Sequence, residues 1–417
     1  MPKPSQIVGI DIGTTKVCAL VVRVCDDEPL EVLGLGLATS RGVQRGVITD
    51  LDAATEAVAS ALDKAERLSG YHINSALLGI AGGHITCSQA RGSINLPNGG
   101  EIGPGEMQRV LTAAREAELP VQREILHVLP RQYVVDGNGG VQDPTGMSGY
   151  QLDVDTHVVT AHVGAVQNAL KVLSRVGLQA DELVLQPLAS AHAVLSAAER
   201  DLGVVLIDIG GGTTDVAIFI EDAPWHTSVL PLGGNTITND LAIVLGIPTE
   251  TAERLKVDVA DAAPVPAAVS SALPGTGNSI KVENFEDGGY KTVSRELVHE
   301  VTSSRLSEIL SMVLAEIRRS GYDDMLPAGA VLTGGGAQLR GATERATAVL
   351  GMPVRIGHPV DTTGLSEAVQ SPAFATSVGL PIWRARSLTR SSRLRRNPSS
   401  RKDPSGRLAG WLREFLP

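Results

Sequence analysis

Asp11-Ile12-Gly13-Thr14-Thr15-Lys16 returns about 200 residues later as Asp208-Ile209-Gly210-Gly211-Gly212-Thr213-Thr214-Asp215. Glycine in a tight turn permits positive φ and brings a phosphate close to backbone N–H groups, and threonine hydroxyls add further donors. The leading carboxylate suits magnesium, which takes one or two carboxylates together with waters and phosphate oxygens. One such turn alone is an ordinary hairpin. Two matched turns point to a Mg-nucleotide held between two lobes, with Asp11 and Asp208 toward the metal. No Gly-Lys dipeptide occurs, which excludes a P-loop.

The elements that must position these residues are legible around them. Each turn follows an apolar run (Ile7 to Ile10, then Val204 to Ile207) and precedes another (Val17 to Val22, then Val216 to Ile220). Each therefore reads as strand, turn, strand. A third segment, Ala330 to Leu339, is an apolar strand entering the glycine turn Gly334-Gly335-Gly336 and then a helical pattern that includes Gln338. Such a turn lets a flat base or ribose lie against bare backbone; an ordinary strand-to-helix loop is the alternative for this segment taken singly.

Between the turns, Leu51 to Leu68 has helical periodicity closed by Gly70, and Ala76 to Ile80 reads as a strand. From residue 85 to 164 short apolar runs alternate with expected turns at Arg91-Gly92, Pro97 to Gly100 and Asp143 to Gly146. Helices are expected over Ile237 to Leu245, Thr249 to Val257 and Arg295 to Arg319, and a Pro-, Ser- and Gly-rich loop over Ala262 to Ile280.

At 417 residues and 43% hydrophobic, the chain is long enough for two substantial cores, and 3% aromatic residues make those cores aliphatic. Cys18, Cys25 and Cys87 form no CxxC pair, which points to a reducing compartment. The first strand begins almost at once, so no signal peptide is expected. His157 and His162, five apart in an expected strand, face opposite sides and cannot share a metal.

The C-terminus is a separate signal. From Arg384 onward ten Lys+Arg stand against two Asp+Glu, a balance of +8 that leaves −18 for the rest of a chain with net charge −10. Residues 384–405 read as a disordered basic linker, and 406–417 as an amphipathic helix with Leu408, Trp411, Leu412, Phe415 and Leu416 on one stripe. Twelve helical residues span about 18 Å, too short for a hydrocarbon core of about 30 Å. Such a helix lies in a membrane interface or packs in a groove of its own body or a partner. A tether of 20-odd residues with a reach of roughly 25 Å favours the membrane. The linker lacks interleaved aromatics, so no nucleic-acid partner is expected.

Taken together, these motifs resemble the actin-like ATPase superfamily of actin, DnaK-type chaperones and sugar kinases. Residues 11–17 and 208–219 match its two phosphate motifs, and 331–341 its adenosine motif. Leu185 to His192 and Ala373 to Leu380 match its two connecting helices. Gln186 matches the polar residue that orients the attacking water. Glu253 and Lys256 resemble the pair placed against the adenosine; on an isolated helix they would be a solvated i,i+3 ion pair. Within the superfamily the similarity is greatest to the FtsA family, through His84 to Cys87, Leu126 to Pro130 and Asn138 to Gly149 in the insertion, and through the terminal helix.

That resemblance implies a duplicated α/β, ribonuclease H-like fold. Lobe 1A would comprise 1–84, 165–202 and 367–383, with inserted subdomain 1C at 85–164. Lobe 2A would comprise 203–236 and 304–366, with subdomain 2B at 237–303. It implies ATP and Mg2+ as ligands. The ATP site would be formed by Gly13, Thr14, Thr15, Lys16, Gly210, Gly211, Gly212, Thr213, Thr214, Gly234, Glu253, Lys256, Gly334, Gly335, Gly336 and Gln338, with Asp11, Gln186 and Asp208 as catalytic candidates. It implies a cell-division protein that self-associates at the cytoplasmic membrane face and tethers FtsZ there through 2B, with other division proteins as partners through 1C. A pilus-assembly scaffold of similar fold is the nearest alternative and a sugar or acid kinase a further one. Too little chain follows the second connecting helix for the substrate domain of a DnaK-type chaperone.

Overall fold

The computed structural model describes residues 5–25, 29–115, 121–264, 279–285 and 289–396. The first lobe opens with an antiparallel meander of β1 (Ser5–Ile12), β2 (Lys16–Val24) and β3 (Leu30–Thr39). A small hairpin, β4 (Val43–Gln44) with β5 (Val47–Ile48), leads into α1 (Leu51–Ser69). The Asp50 carboxylate accepts from the N–H groups of Asp52 and Ala53 at the start of α1, and Gly70 ends it in the left-handed region at φ 65°. The apolar face of α1 lies so close to β3 that a Cβ on Gly36 would stand 1.7 Å from the Ala61 carbonyl oxygen. β6 (Ser75–Ile80) then runs parallel to β1.

An inserted sheet follows, made of β7 (Ile85–Asn95), β8 (Arg123–Val135), β9 (Asn138–Val141) and β10 (Gln151–His162) in the order β7-β10-β8-β9. Helix α2 (Pro104–Arg115) covers it, and Ile102, Val110, Leu152 and Val154 form its own small core. Arg91-Gly92 was expected as a turn but lies inside β7. Gly92 is needed there for close packing, since a Cβ would fall 2.2 Å from the Val110 carbonyl oxygen of α2. His157 and His162 occupy opposite faces of β10: the first is buried, and the second caps α3 (Val163–Arg175) by accepting from the Gly164 N–H.

After α3, β11 (Gln179–Leu185) extends the first sheet beside β6 and passes directly into α4 (Gln186–Val194) and α5 (Ala197–Leu202). The second lobe repeats the pattern. β12 (Val204–Ile209), β13 (Thr214–Ile220) and β14 (Ala223–Leu230) form a meander; α6 (Gly234–Leu245) and α7 (Thr249–Asp258) follow, then the hairpin β15 (Ser279–Glu283) and β16 (Tyr290–Ser294), and α8 (Arg295–Ser320). β17 (Ala330–Thr333) returns parallel to β12, and α9 (Ala342–Leu350) and β18 (Val354–Ile356) complete the lobe. The order β14-β13-β12-β17-β18 matches β3-β2-β1-β6-β11 strand for strand. Most of the Ala262 to Ile280 loop lies outside the described residues.

The chain re-enters the first lobe earlier than residue 367: β19 (Thr362–Gly364) already pairs parallel with β3. Helix α10 (Ala375–Arg396) crosses α4 at Gly379, where a Cβ would lie 1.9 Å from the Ala189 carbonyl oxygen. α10 continues to Arg396, so the expected disordered linker from Arg384 is helical over its first part. No proline or glycine occurs between Pro381 and Pro398, and Arg and Leu favour helix. The expected interfacial helix with Leu408, Trp411, Leu412, Phe415 and Leu416 lies outside the described residues.

Candidate nucleotide site

The two turns are equal in length and build. Gly13 N–H donates to Lys16 O at 3.0 Å and Gly210 N–H to Thr213 O at 2.9 Å, leaving Thr14-Thr15 and Gly211-Gly212 at the tips. Strand register pairs Asp11 with Cys18 and Asp208 with Asp215. Position for position, Lys16 therefore corresponds to Thr213, and Cys18 to Asp215. The bare tip of the second hairpin receives the threonines of the first: a Cβ on Gly211 would stand 2.3 Å from Thr15 Cγ2, and one on Gly212 2.5 Å from Thr14 Oγ1.

Around these tips lies a solvent-open cleft of about 110 Å³. It is lined by Asp11, Gly13, Thr14, Thr15, Lys16, Gln186, Asp208, Gly210, Gly211, Gly212, Thr213, Gly334 and Gly335, all singled out in the sequence. Asp215, Pro372, Ala373 and Thr376 line it too. Thr214, Gly234, Glu253, Lys256, Gly336 and Gln338 do not. Thr214 donates to the Leu232 carbonyl at 2.8 Å, away from the cleft, and Gln338 is exposed on the short turn before α9.

Gly234 N–H donates to Gly210 O at 2.9 Å, which ties the start of α6 to the second hairpin. Lys256 Nζ sits there, 2.7 Å from Glu253 Oε2 and 2.9 Å from Thr238 Oγ1. The Glu253–Lys256 pair thus joins α7 to Thr238 of α6, with Lys256 mostly covered and Glu253 half-exposed. Gly334, at φ 81°, admits no side chain, because a Cβ would meet Asp208 Oδ1 at 2.3 Å.

Both connecting helices hold both aspartates. Gln186 Nε2 donates to Asp11 Oδ1 at 3.0 Å and Ser377 Oγ to Asp11 Oδ2 at 3.4 Å. Ser190 Oγ donates to Asp208 Oδ2 at 2.7 Å, and Thr376 Oγ1 lies 2.9 Å from Ser190 Oγ and 3.5 Å from that carboxylate oxygen. Sequence reasoning gave Ser190, Thr376, Ser377 and Asp215 no role. Their signal was a hydroxyl in otherwise small or apolar helix segments, and a second aspartate closing the repeat.

Burial and its neighbour Asp208 push Asp11 up to about 6 despite Lys16 and Ser377. Asp208 is also raised by burial, and Asp215 well raised by burial and by the other two carboxyls. Asp215 Oδ1 is buried without a hydrogen-bond partner. Lys16, also at the cleft, donates to the Ala373 carbonyl with its ammonium 4.0 Å from the Phe374 ring centroid. Three crowded carboxyls and one orphaned oxygen fit a cation. Among the described residues no group of three or more His, Cys, Asp or Glu is arranged to ligate a metal directly, so phosphate oxygens and waters would complete its shell.

Duplicated five-strand sheets, matched hairpins facing one cleft and two crossing helices define an actin-like fold. The chain superposes on the PilM–PilN type IV pilus biogenesis complex with TM-score 0.64 at 18% identity, covering 91% of this chain and 98% of that one. On MreB5 of Spiroplasma citri bound to ADP the TM-score is 0.54 at 16% identity, covering 94% and 99%.

Sequence comparison is narrower. Residues 205–379 match the family model "Cell division protein FtsA", and residues 82–160 match "SHS2 domain inserted in FTSA". Cell division protein FtsA of Pseudomonas aeruginosa is 44% identical over 378 residues, 91% of this chain and 89% of that protein. FtsA of Escherichia coli K12 is 35% identical over 381 residues, covering 90% and 89%. The chain belongs to the FtsA family of cell division proteins.

Proposed function

We propose that this chain binds Mg-ATP between its lobes, self-associates on the cytoplasmic face of the cell membrane, and tethers FtsZ filaments there at the division septum. Family membership supports the division role. The observation that carries the ligand reading is the pair of carboxylates, Asp11 and Asp208, presented to one cleft by two equivalent hairpins and held by the same two helices.

In this reading the hairpin N–H groups and the hydroxyls of Thr14, Thr15 and Thr213 hold phosphate oxygens. Lys16 leaves the Ala373 carbonyl to neutralise phosphate charge. Asp11 and Asp208 would hold magnesium through its waters. Magnesium, when bound, supplies charge neutralisation at the phosphates and relieves the crowding of the three carboxyls. Gln186 orients a water for slow hydrolysis. Gly334 and Gly335 leave room for the nucleoside, and Gly234 with the Glu253–Lys256 pair braces the second hairpin from behind.

The terminal stripe of Leu408, Trp411, Leu412, Phe415 and Leu416 supplies the membrane anchor. Each of these side chains gains at most roughly 1.5 to 3 kcal/mol on full burial, and nearby basic residues add about 1 kcal/mol each on an anionic leaflet. FtsZ would engage the α6–α7 subdomain, and further division proteins the inserted sheet.

Sedimentation of polymerised FtsZ with the full chain and Mg-ATP tests the partner. The chain is expected in the pellet with the filaments. FtsZ pelleting without it would overturn the tether.

A further inference from the structure

The inserted sheet packs Leu126 and Leu129 against the core that holds Leu185 and Leu188, and hydrogen-bonds the residue before α4 through an imidazole. His127 on β8 is buried, and its Nε2 accepts a hydrogen bond from the Leu185 N–H at 3.1 Å. Leu185 is the N-cap residue immediately before α4. It has no side chain able to cap that helix, and Pro187 removes one of the N–H groups in the first turn. The next residue is Gln186, which holds Asp11. His127 is also fixed from α10: Trp383 stands edge-on to it with ring centroids 5.3 Å apart, and its Nε1 donates to Glu182 Oε1 at 2.9 Å. An accepting Nε2 places the ring proton on Nδ1. Burial keeps the ring neutral by pulling its pKa down to about 4, so the acceptor persists across the physiological range.

The same sheet also touches the second lobe. His157 Nε2 and Cys87 Sγ each lie 2.8 Å from Thr227 Oγ1 of β14, and Gln89 donates to the Tyr322 hydroxyl at 2.7 Å. Arg131 stacks on Trp225 at 3.9 Å. A movement of one lobe against the other would therefore act on the docking of this sheet, which bonds the residue before α4 through His127.

We infer that His127 is a positioning residue. By accepting from Leu185 it fixes the first turn of α4, and with it the Gln186–Asp11 pair, so that docking of the inserted sheet and occupancy of the cleft by Mg-ATP are coupled. The inference rests on the Mg-ATP reading above. Coupling is reciprocal: whatever binds the inserted sheet and shifts β8 alters nucleotide affinity by the factor with which Mg-ATP alters that binding.

The test uses the full chain with Mg-ATP as the probe. In the unaltered protein, Mg-ATP should slow hydrogen exchange at the Leu185 amide and along β8 by about tenfold, within the usual range of intersite coupling. His127→Phe keeps a ring and removes the acceptor. It should weaken Mg-ATP binding by about tenfold and abolish the nucleotide-dependent protection of β8, and His127→Gln, which restores an acceptor, should recover most of both. Lower thermal stability of His127→Phe with unchanged Mg-ATP affinity would show a merely structural histidine and overturn the inference. Unaltered exchange at Leu185 in the wild-type chain would overturn it without any variant. Failure of the wild-type chain to bind Mg-ATP would remove the nucleotide reading and this inference with it; binding without the coupling would remove the inference alone.

Discussion

Gln186 Nε2 donates to Asp11 Oδ1 at 3.0 Å, joining the first turn of α4 to the hairpin of the first lobe. One helical turn later, Ser190 makes the corresponding bond to Asp208 of the second lobe. A single short helix thus sets the separation of the two carboxylates. Its crossing partner α10 repeats both contacts through Ser377 and Thr376.

Gln186→Ala should weaken Mg-ATP binding by about tenfold, through loss of its hold on Asp11, and lower turnover of the bound complex by about 100-fold, the loss expected when a reacting group is misplaced. Equilibrium binding and single-turnover hydrolysis separate the two effects. Unchanged turnover would remove Gln186 from the water-orienting role.

Asp208→Ala should weaken Mg-ATP binding by about 10- to 100-fold, as loss of an outer-shell metal partner does. Nucleotide binding without magnesium should change little. Titrations with and without the metal make the comparison, and equal affinity for Mg-ATP would contradict the site.

Gly379→Ala should destabilise the fold by about 1 to 3 kcal/mol or more through overpacking. The added methyl would fall 1.9 Å from the Ala189 carbonyl oxygen, where backbone cannot move aside cheaply. Urea midpoints of the variant and the parent measure the cost.

His157 should contribute to the acid response. Burial, with the nearby His226, Arg131 and His127, brings its pKa down from 6.5 to about 3. The unfolded chain therefore takes up a proton there before the folded chain does, and stability falls as the pH drops from 6.5 toward 3. The slope is about 1.4 kcal/mol per pH unit for each proton. His157→Gln should lose less stability than the parent over that interval, as read from denaturant unfolding at pH 7 and pH 5. Parallel losses would contradict the linkage.

The alternating apolar runs and the glycine turns made both hairpins and the duplicated sheet legible, because strand period and turn chemistry are local. The relation between the hairpins was not local. The repeat as written contains two extra residues in its second copy, yet the turns are equal in length, since Thr213 takes the place of Lys16 and Thr214 already belongs to β13. Ser190, Thr376 and Ser377 escaped notice because a hydroxyl in an alanine-rich helix gains meaning only when a second helix and a carboxylate meet it in space. Arg91-Gly92 misled for a related reason: a glycine bare enough for a turn is also what lets α2 lie on β7.

The most direct measurement is recruitment of FtsZ to anionic vesicles with Mg-ATP, using the full chain and a version ending at Ser405. The full chain should carry FtsZ to the vesicles, and the shortened one should leave both proteins in solution. Vesicle binding that leaves FtsZ free, or recruitment that survives the truncation, would contradict the account of a membrane tether.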